Sequence, residues 1–140
     1  MARRGGRGLI TAVDTSILLD VLHADRTFGP RSSDALRDAF RLGGVVACDI
    51  VWAETTAAVG SATVADALVE LGVMFQPIDQ PTATAAGTAW GSYRARGGKR
   101  NRIVADFLIG AHAGAGADRL LTRDRGFFRT YFRSLTVIEP

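Results

Sequence analysis

The sequence predicts an α/β fold with a mainly parallel sheet, and two observations carry that prediction. Five strand-length runs, Leu9 to Val13, Val45 to Ala47, Val73 to Pro77, Arg119 to Thr122 and Leu135 to Ile138, are separated by stretches of helical periodicity. Strands that alternate with helices build parallel sheets, because each crossover returns the chain through a helix. The composition agrees: 140 residues suit one domain with one core, and 47% hydrophobic against 22% charged residues is an ordinary globular balance.

In chain order, residues 1–8 are Arg- and Gly-rich without periodicity and read as a flexible basic tail. Residues 9–140 then form the single domain. Leu9 to Val13 is a buried strand ending on Asp14-Thr15-Ser16, which turns the chain and caps a helix through Leu22. Phe28-Gly29-Pro30 reads as a break, after which Ser32, Ser33 or Asp34 caps a helix that stops near Gly43. Asp49 follows the second strand as the N-cap of a helix from Ile50 to Val59, with Glu54 in its middle. Gly60-Ser61 breaks the pattern, and Thr63 with Asp66 resembles a capping box opening a helix to Leu71, closed by Gly72. A further helix runs from Pro81 past Trp90 to Arg96, and the basic loop 97–102 leads into the helix that carries Asp106. A Gly-rich break is expected at Gly114 to Gly116 and a short helix from Asp124 to Phe132.

Several function classes are excluded or disfavoured. No stretch approaches the roughly 18 apolar residues of a membrane span, and the basic N-terminus lacks a signal-peptide apolar region, so a cytoplasmic protein is expected. Cys48 alone forms no internal disulfide, and His23 and His112 lack zinc-type spacing. The net charge of +3 is unevenly spread. No Lys or Arg lies between Arg41 and Arg94, whereas ten of the 17 basic residues lie from Arg94 onward, which suits a polyanionic partner such as nucleic acid.

Of the 14 acids, Asp14, Glu54, Asp106 and Asp124 stand apart. Asp14 and Asp124 fall at the carboxyl ends of strands, where open α/β sheets bind ligands, although each also suits helix capping. Glu54 and Asp106 have apolar residues three and four positions away, and acids on a core-facing stripe are rare unless paired or bound to a cation. Asp20, Asp25, Asp34, Asp38, Asp66, Asp79, Asp118 and Glu139 read as caps, loops or exposed faces. Carboxylates gathered at one edge repel one another and favour a hard, oxygen-liganded ion, Mg²⁺ or Mn²⁺, of the kind that assists phosphodiester hydrolysis. Ser16 and Thr122 serve as supporting polar groups, or as ordinary turn residues. Lys99, Arg100, Arg102, Arg123 and Arg125 are the candidate phosphate contacts to such a nucleic acid. His112 lies six residues beyond Asp106 and on another helical face.

The segments AVDTSILLD at 12–20, VWAE around Glu54, ADFLIGAHA at 105–113 and LLTRDRGFF at 120–128 together resemble the PIN-domain family and, within it, VapC-type toxins of bacterial toxin–antitoxin pairs. The resemblance spans Leu9 to Ile138. It implies a three-layer α/β/α sandwich and a Mg²⁺- or Mn²⁺-dependent ribonuclease. It further implies a homodimer restrained by a small VapB-like antitoxin, and an acidic catalytic set of Asp14, Glu54, Asp106 and Asp124. Asp14, Asp106 and Asp124 are the expected metal ligands.

Two other readings compete. A phosphatase of haloacid-dehalogenase type wants a second Asp where Ser16 stands, and a receiver domain wants a late strand-end Lys, whereas the sole Lys is Lys99 in a loop. An inactive RNA- or partner-binding module on the same fold would lack an acid, and all four are present.

Overall fold

The structure, a computed structural model, describes residues 8–99 and 104–140. Its elements are β1 (Thr11–Val13), α1 (Thr15–Leu22), α2 (Gly29–Leu42), β2 (Val45–Ala47), α3 (Asp49–Val59), α4 (Ser61–Leu71), β3 (Met74–Phe75), α5 (Gln80–Ala95), α6 (Val104–Gly116), β4 (Arg119–Leu121), α7 (Arg125–Tyr131) and β5 (Thr136–Ile138). The strands form one five-stranded sheet in the order β3-β2-β1-β4-β5, and every pairing is parallel. The expected α/β sandwich is therefore present. All five strands fall where the sequence places them, with β3 shorter than the 73–77 run.

The core explains why the strands are continuous apolar runs. Val13, Val45, Ala47, Leu120 and Leu121 are buried, as both faces of a parallel sheet must be when helices cover them. Ile17 and Leu18 of α1 and Val64 and Leu68 of α4 complete the packing. Phe107 of α6 is fully buried and meets Tyr93, Phe127, Tyr131 and Phe132 at ring-centroid distances of 5.3–6.1 Å. Burying such a ring stabilises by about 1.5–3 kcal/mol, and offset or edge contacts add to it.

Four helix boundaries depart from expectation, each for a local reason. Helix α2 begins at Gly29, with Pro30 in its first turn, where a missing N–H costs nothing. Ser32 is consequently inside the helix and faces inward. Helix α3 takes Cys48 rather than Asp49 as its N-cap. Helix α4 starts at Ser61 directly after Gly60 (φ 91°), so Thr63 and Asp66 are helical residues and no capping box forms. Gly114 to Gly116 does not break α6, which continues through Gly116. Gly116 faces the tip of the Gln76 side chain, whose Oε1 lies 2.6 Å from where a Cβ would stand. Gly72 (φ 88°) does close α4 in the left-handed conformation.

The chain reverses its direction of strand addition at β1, whose neighbours are β2 on one side and β4 on the other. The crevice at the carboxyl ends of β1 and β4 is the place where such sheets bind ligands.

Candidate active site

A cleft of about 610 Å³ opens at that switch point, lined by Asp14, Thr15, Ser16, Leu19, Glu54, Asp106, Ile109, Arg123 and Asp124. All four acids singled out in the sequence line it. Asp14 leaves β1, Glu54 comes from α3, Asp106 from the first turn of α6, and Asp124 caps α7.

Threonines tie three of the acids together. Thr15 N donates to Asp14 Oδ1 at 2.8 Å, and Thr122 Oγ1 donates to Asp14 Oδ2 at 2.6 Å. Thr122 Oγ1 in turn accepts from Asp124 N at 3.0 Å, while Thr15 Oγ1 donates to Glu54 Oε1 at 2.6 Å. The result is a chain of hydrogen bonds from Glu54 through Thr15, Asp14 and Thr122 to the backbone of Asp124. Thr122 is fully buried and uses its hydroxyl in both directions, so it acts as a positioning residue. Asp14 N donates to Leu121 O, extending the β1–β4 ladder to the cleft floor.

Electrostatics mark Asp14 as the stressed member. Burial pushes its carboxyl up to about 6 from an ordinary value of 3.8, the Thr122 and Thr15 hydrogen bonds oppose that, and the negative charges of Glu54 and Asp106 add to it. A cation in the cleft would relieve both burial and repulsion. Ser16 Oγ is buried and has no hydrogen-bond partner among the described residues, leaving a polar atom available to a ligand shell. Among the described residues, no three His, Cys, Asp or Glu side chains converge closely enough to hold an ion unaided. An open, all-oxygen set of this kind fits Mg²⁺ or Mn²⁺, which keep several waters, and does not fit zinc.

Glu54 does not lie on the core-facing stripe that its helical spacing predicts. Val51 and Thr55 form the buried stripe of α3, and Glu54 is exposed on the flank that faces the cleft. It reaches the site as a rim carboxylate and not as a core one. Asp20, read as an ordinary exposed or capping residue, is buried at 4% exposure. It accepts from Ser32 Oγ at 2.7 Å and from Arg123 Nε and Nη2 at 2.8 and 3.1 Å. The Arg123 guanidinium also stacks 4.0 Å from the Phe28 ring centroid. Arg123 therefore serves first as a lock between the β4–α7 turn and helices α1 and α2. The spacing that singles out Glu54 does not single out Asp20, because Ser16 and His23 share its helical face with Ile17 and Ala24, and Thr15 carries no comparable signal.

The basic candidates are dispersed. Arg125 pairs with Glu139 at 3.5 Å, Lys99 is exposed beside the end of α5, and Arg100 and Arg102 lie outside the described residues, as do residues 1–7 of the expected tail. His112 does face elsewhere. It is buried near Gln76, Asp49 and Asp79, and burial lowers its pKa.

Solved structures share this fold. A chain from the VapBC2 structure of Rickettsia felis, bound to a promoter DNA fragment, superposes with a TM-score of 0.75 at 16% identity, covering 94% of this chain and 99% of that one. VapBC-1 from nontypeable Haemophilus influenzae gives 0.70 at 18% identity, covering 94% and 98%. Mycobacterium tuberculosis VapC20, described as a sarcin-ricin loop cleaving toxin, gives 0.52 at 18% identity, covering 79% and 86%. No curated protein matches the sequence. The PIN domain model matches residues 11–133, which takes in every acid of the cleft, and the chain accordingly belongs to the PIN domain family.

Proposed function

We propose that this chain is a metal-dependent endoribonuclease and the toxin of a type II toxin–antitoxin pair. The observation that carries the proposal is the cleft itself: four carboxylates at the sheet's switch point, with the central one, Asp14, held by Thr15 and Thr122 in a setting that disfavours its charge.

Asp14, Asp106 and Asp124 would hold Mg²⁺ or Mn²⁺, directly or through water, with Glu54 completing the rim. When bound, the ion supplies positive charge opposite the scissile phosphate and acidifies water for attack on phosphorus. The chain's own residues do the rest. Thr122 fixes the Asp14 carboxylate and the start of α7 at once, and Thr15 orients Glu54. Ser16 Oγ is placed to donate to a ligand oxygen. The Asp20–Arg123 pair holds the turn that carries Asp124. No Ser or Cys nucleophile is needed, since water attacks.

Support for the toxin role comes from the similar structures. Two are VapBC complexes, one with promoter DNA, and VapC20 is described as cleaving the sarcin-ricin loop. On that footing the partners are a VapB-like antitoxin, RNA and a second copy of the chain. Among the described residues no helix is long and apolar enough to cross a membrane, consistent with action on RNA in the cytoplasm.

The direct test incubates the purified chain with RNA in Mg²⁺ or Mn²⁺, with EDTA, and as Asp14→Asn and Asp106→Asn. Cleavage that disappears in EDTA and falls at least about a hundredfold in either folded variant is expected, as for loss of an electrostatic group worth roughly 3 kcal/mol. Undiminished cleavage by the folded variants would sink the assignment. RNA binding with no turnover in any metal would instead assign the binding-module role.

A further inference from the structure

A second cleft, of about 440 Å³, lies between the C-terminal end of α5 and that of α7, lined by Tyr93, Arg96, Gly97, Gly98, Lys99 and Tyr131. No acid lines it. Its floor is built with care for position. Tyr93 is 7% exposed, its hydroxyl donates to Lys99 O at 2.9 Å, and Gly98 N donates back to Tyr93 O at 2.8 Å. A Cβ at Gly98 would stand 2.3 Å from the Tyr93 ring, and Gly97 has φ 82°. Only the glycine pair lets the loop lie flat on the ring, and that contact fixes where Lys99 leaves the surface.

Tyr131 forms the cleft's aromatic wall. Its ring meets Tyr93 edge-on at 5.3 Å and is backed by Phe107 and Phe127 at 5.9 and 5.1 Å, yet it remains 39% exposed. A ring packed against three others and still more than a third exposed, beside two cations and, among the described residues, no anion, matches what single-stranded nucleic acid requires: an aromatic side chain on which a base stacks, with positive charge for the flanking phosphates. The location suits a substrate strand. Asp124 caps α7 and Tyr131 ends it, so the two are separated by roughly 10 Å along the helix axis. Phe107, beside Asp106 in α6, touches the same ring.

We propose that this cleft is a nucleotide subsite for single-stranded RNA, in which Tyr131 stacks on a base while Arg96 and Lys99 hold the adjoining phosphates. The subsite rests on the ribonuclease reading and adds to it a place where the strand is gripped away from the cutting cleft.

The test is fluorescence anisotropy of a short labelled single-stranded RNA of mixed sequence, in EDTA so that no turnover intervenes, with thermal melts confirming folded protein. Tyr131→Leu keeps apolar bulk and removes the π face; it should weaken binding about tenfold, whereas Tyr131→Phe should bind as the parent does. Lys99→Gln should reduce the slope of log K against log salt by about 0.7. Should Tyr131→Leu fail to fold, Arg96→Gln with Lys99→Gln alters only exposed side chains and should weaken binding at least about tenfold. Parent-like RNA affinity in Tyr131→Leu or, where that does not fold, in the double variant, with cleavage still lost in Asp14→Asn, would overturn the subsite and leave the nuclease standing. A parent chain that neither binds nor cleaves RNA would overturn both. If Tyr131→Leu weakens inorganic polyphosphate as much as RNA, the cleft reads charge and not bases, which also overturns the proposal.

Discussion

At the scale of single residues, Asp14 concentrates the tension in the cleft. Its carboxyl is pushed up to about 6 by burial and then by Glu54 and Asp106, despite hydrogen bonds from Thr122 and Thr15. A folded-state value above the unfolded one means that the group's contribution to stability is fully present below about pH 4. It is lost as pH rises through about 6. The shift corresponds to about 3 kcal/mol at neutral pH as an order of magnitude. In EDTA, Asp14→Asn should therefore be more stable than the parent at pH 8 by about 1–3 kcal/mol, and the two should converge by pH 4. Urea unfolding at the two pH values measures the gap; equal stability at pH 8 would mean that Asp14 is not strained. Thr122→Val makes the complementary case. It strips Asp14 of a donor and leaves Asp124 N without its acceptor, in a fully buried position. A loss of about 1–3 kcal/mol is expected, with the Asp14 pKa moving further up by carboxyl-carbon NMR titration. An unchanged pKa would show that Thr122 does not tune the acid.

Among elements, the least anticipated feature is the joint between the β4–α7 turn and helices α1 and α2. Asp20 of α1 is buried, and three donors satisfy it, two from Arg123 and one from Ser32 of α2. Removing one partner of a buried pair leaves an uncompensated charge, so Arg123→Met should cost about 2–4 kcal/mol. It should also loosen Asp124, the next residue, enough to lower activity in step with it. A melting temperature within a degree or two of the parent's would show the joint to be dispensable. This joint also shows what a sequence conveys and what it withholds. Strands were legible because β-branched and aliphatic runs in LITAV, VVA and LTVIE announce burial on both faces. Asp14 and Asp124 were legible because a strand's end is a local property. Glu54 was found for an inexact reason, since it lies on the flank of the Val51–Thr55 stripe and not within it. Asp20 is not legible in the sequence because its partner Arg123 is 103 residues away, and no periodicity records a contact of that range. The start of α2 differs from the sequence expectation because Pro30 punctuates a turn and a first helical turn with equal force.

For the whole molecule, the distribution of charge becomes a statement about linkage. The fold draws four acids to one crevice, and the Arg-rich segment from Arg94 onward supplies the cations of the second cleft and of the turn beside the acids. Their mutual repulsion is sustained by the packing of β1, α3, α6 and α7 against one core, so an ion that binds the folded chain alone must stabilise all of it. With free Mn²⁺ at a hundred times its dissociation constant, the gain is about 2.7 kcal/mol, or roughly 10 °C in melting temperature for a domain of this size. The parent should show that rise and Asp106→Asn should show little of it. Melting in EDTA gives each chain its metal-free baseline, to which Asp106 contributes through its repulsion of Asp14. The two measurements separate alternatives that activity alone confounds. A variant that melts low in EDTA has lost packing, and its silence in a cleavage assay says nothing about metal. A variant that melts like the parent in EDTA, yet gains nothing from Mn²⁺, has lost a ligand. Equal Mn²⁺ shifts in parent and Asp106→Asn would mean that the ion binds elsewhere, and the carboxylate cleft would lose its claim to be the metal centre.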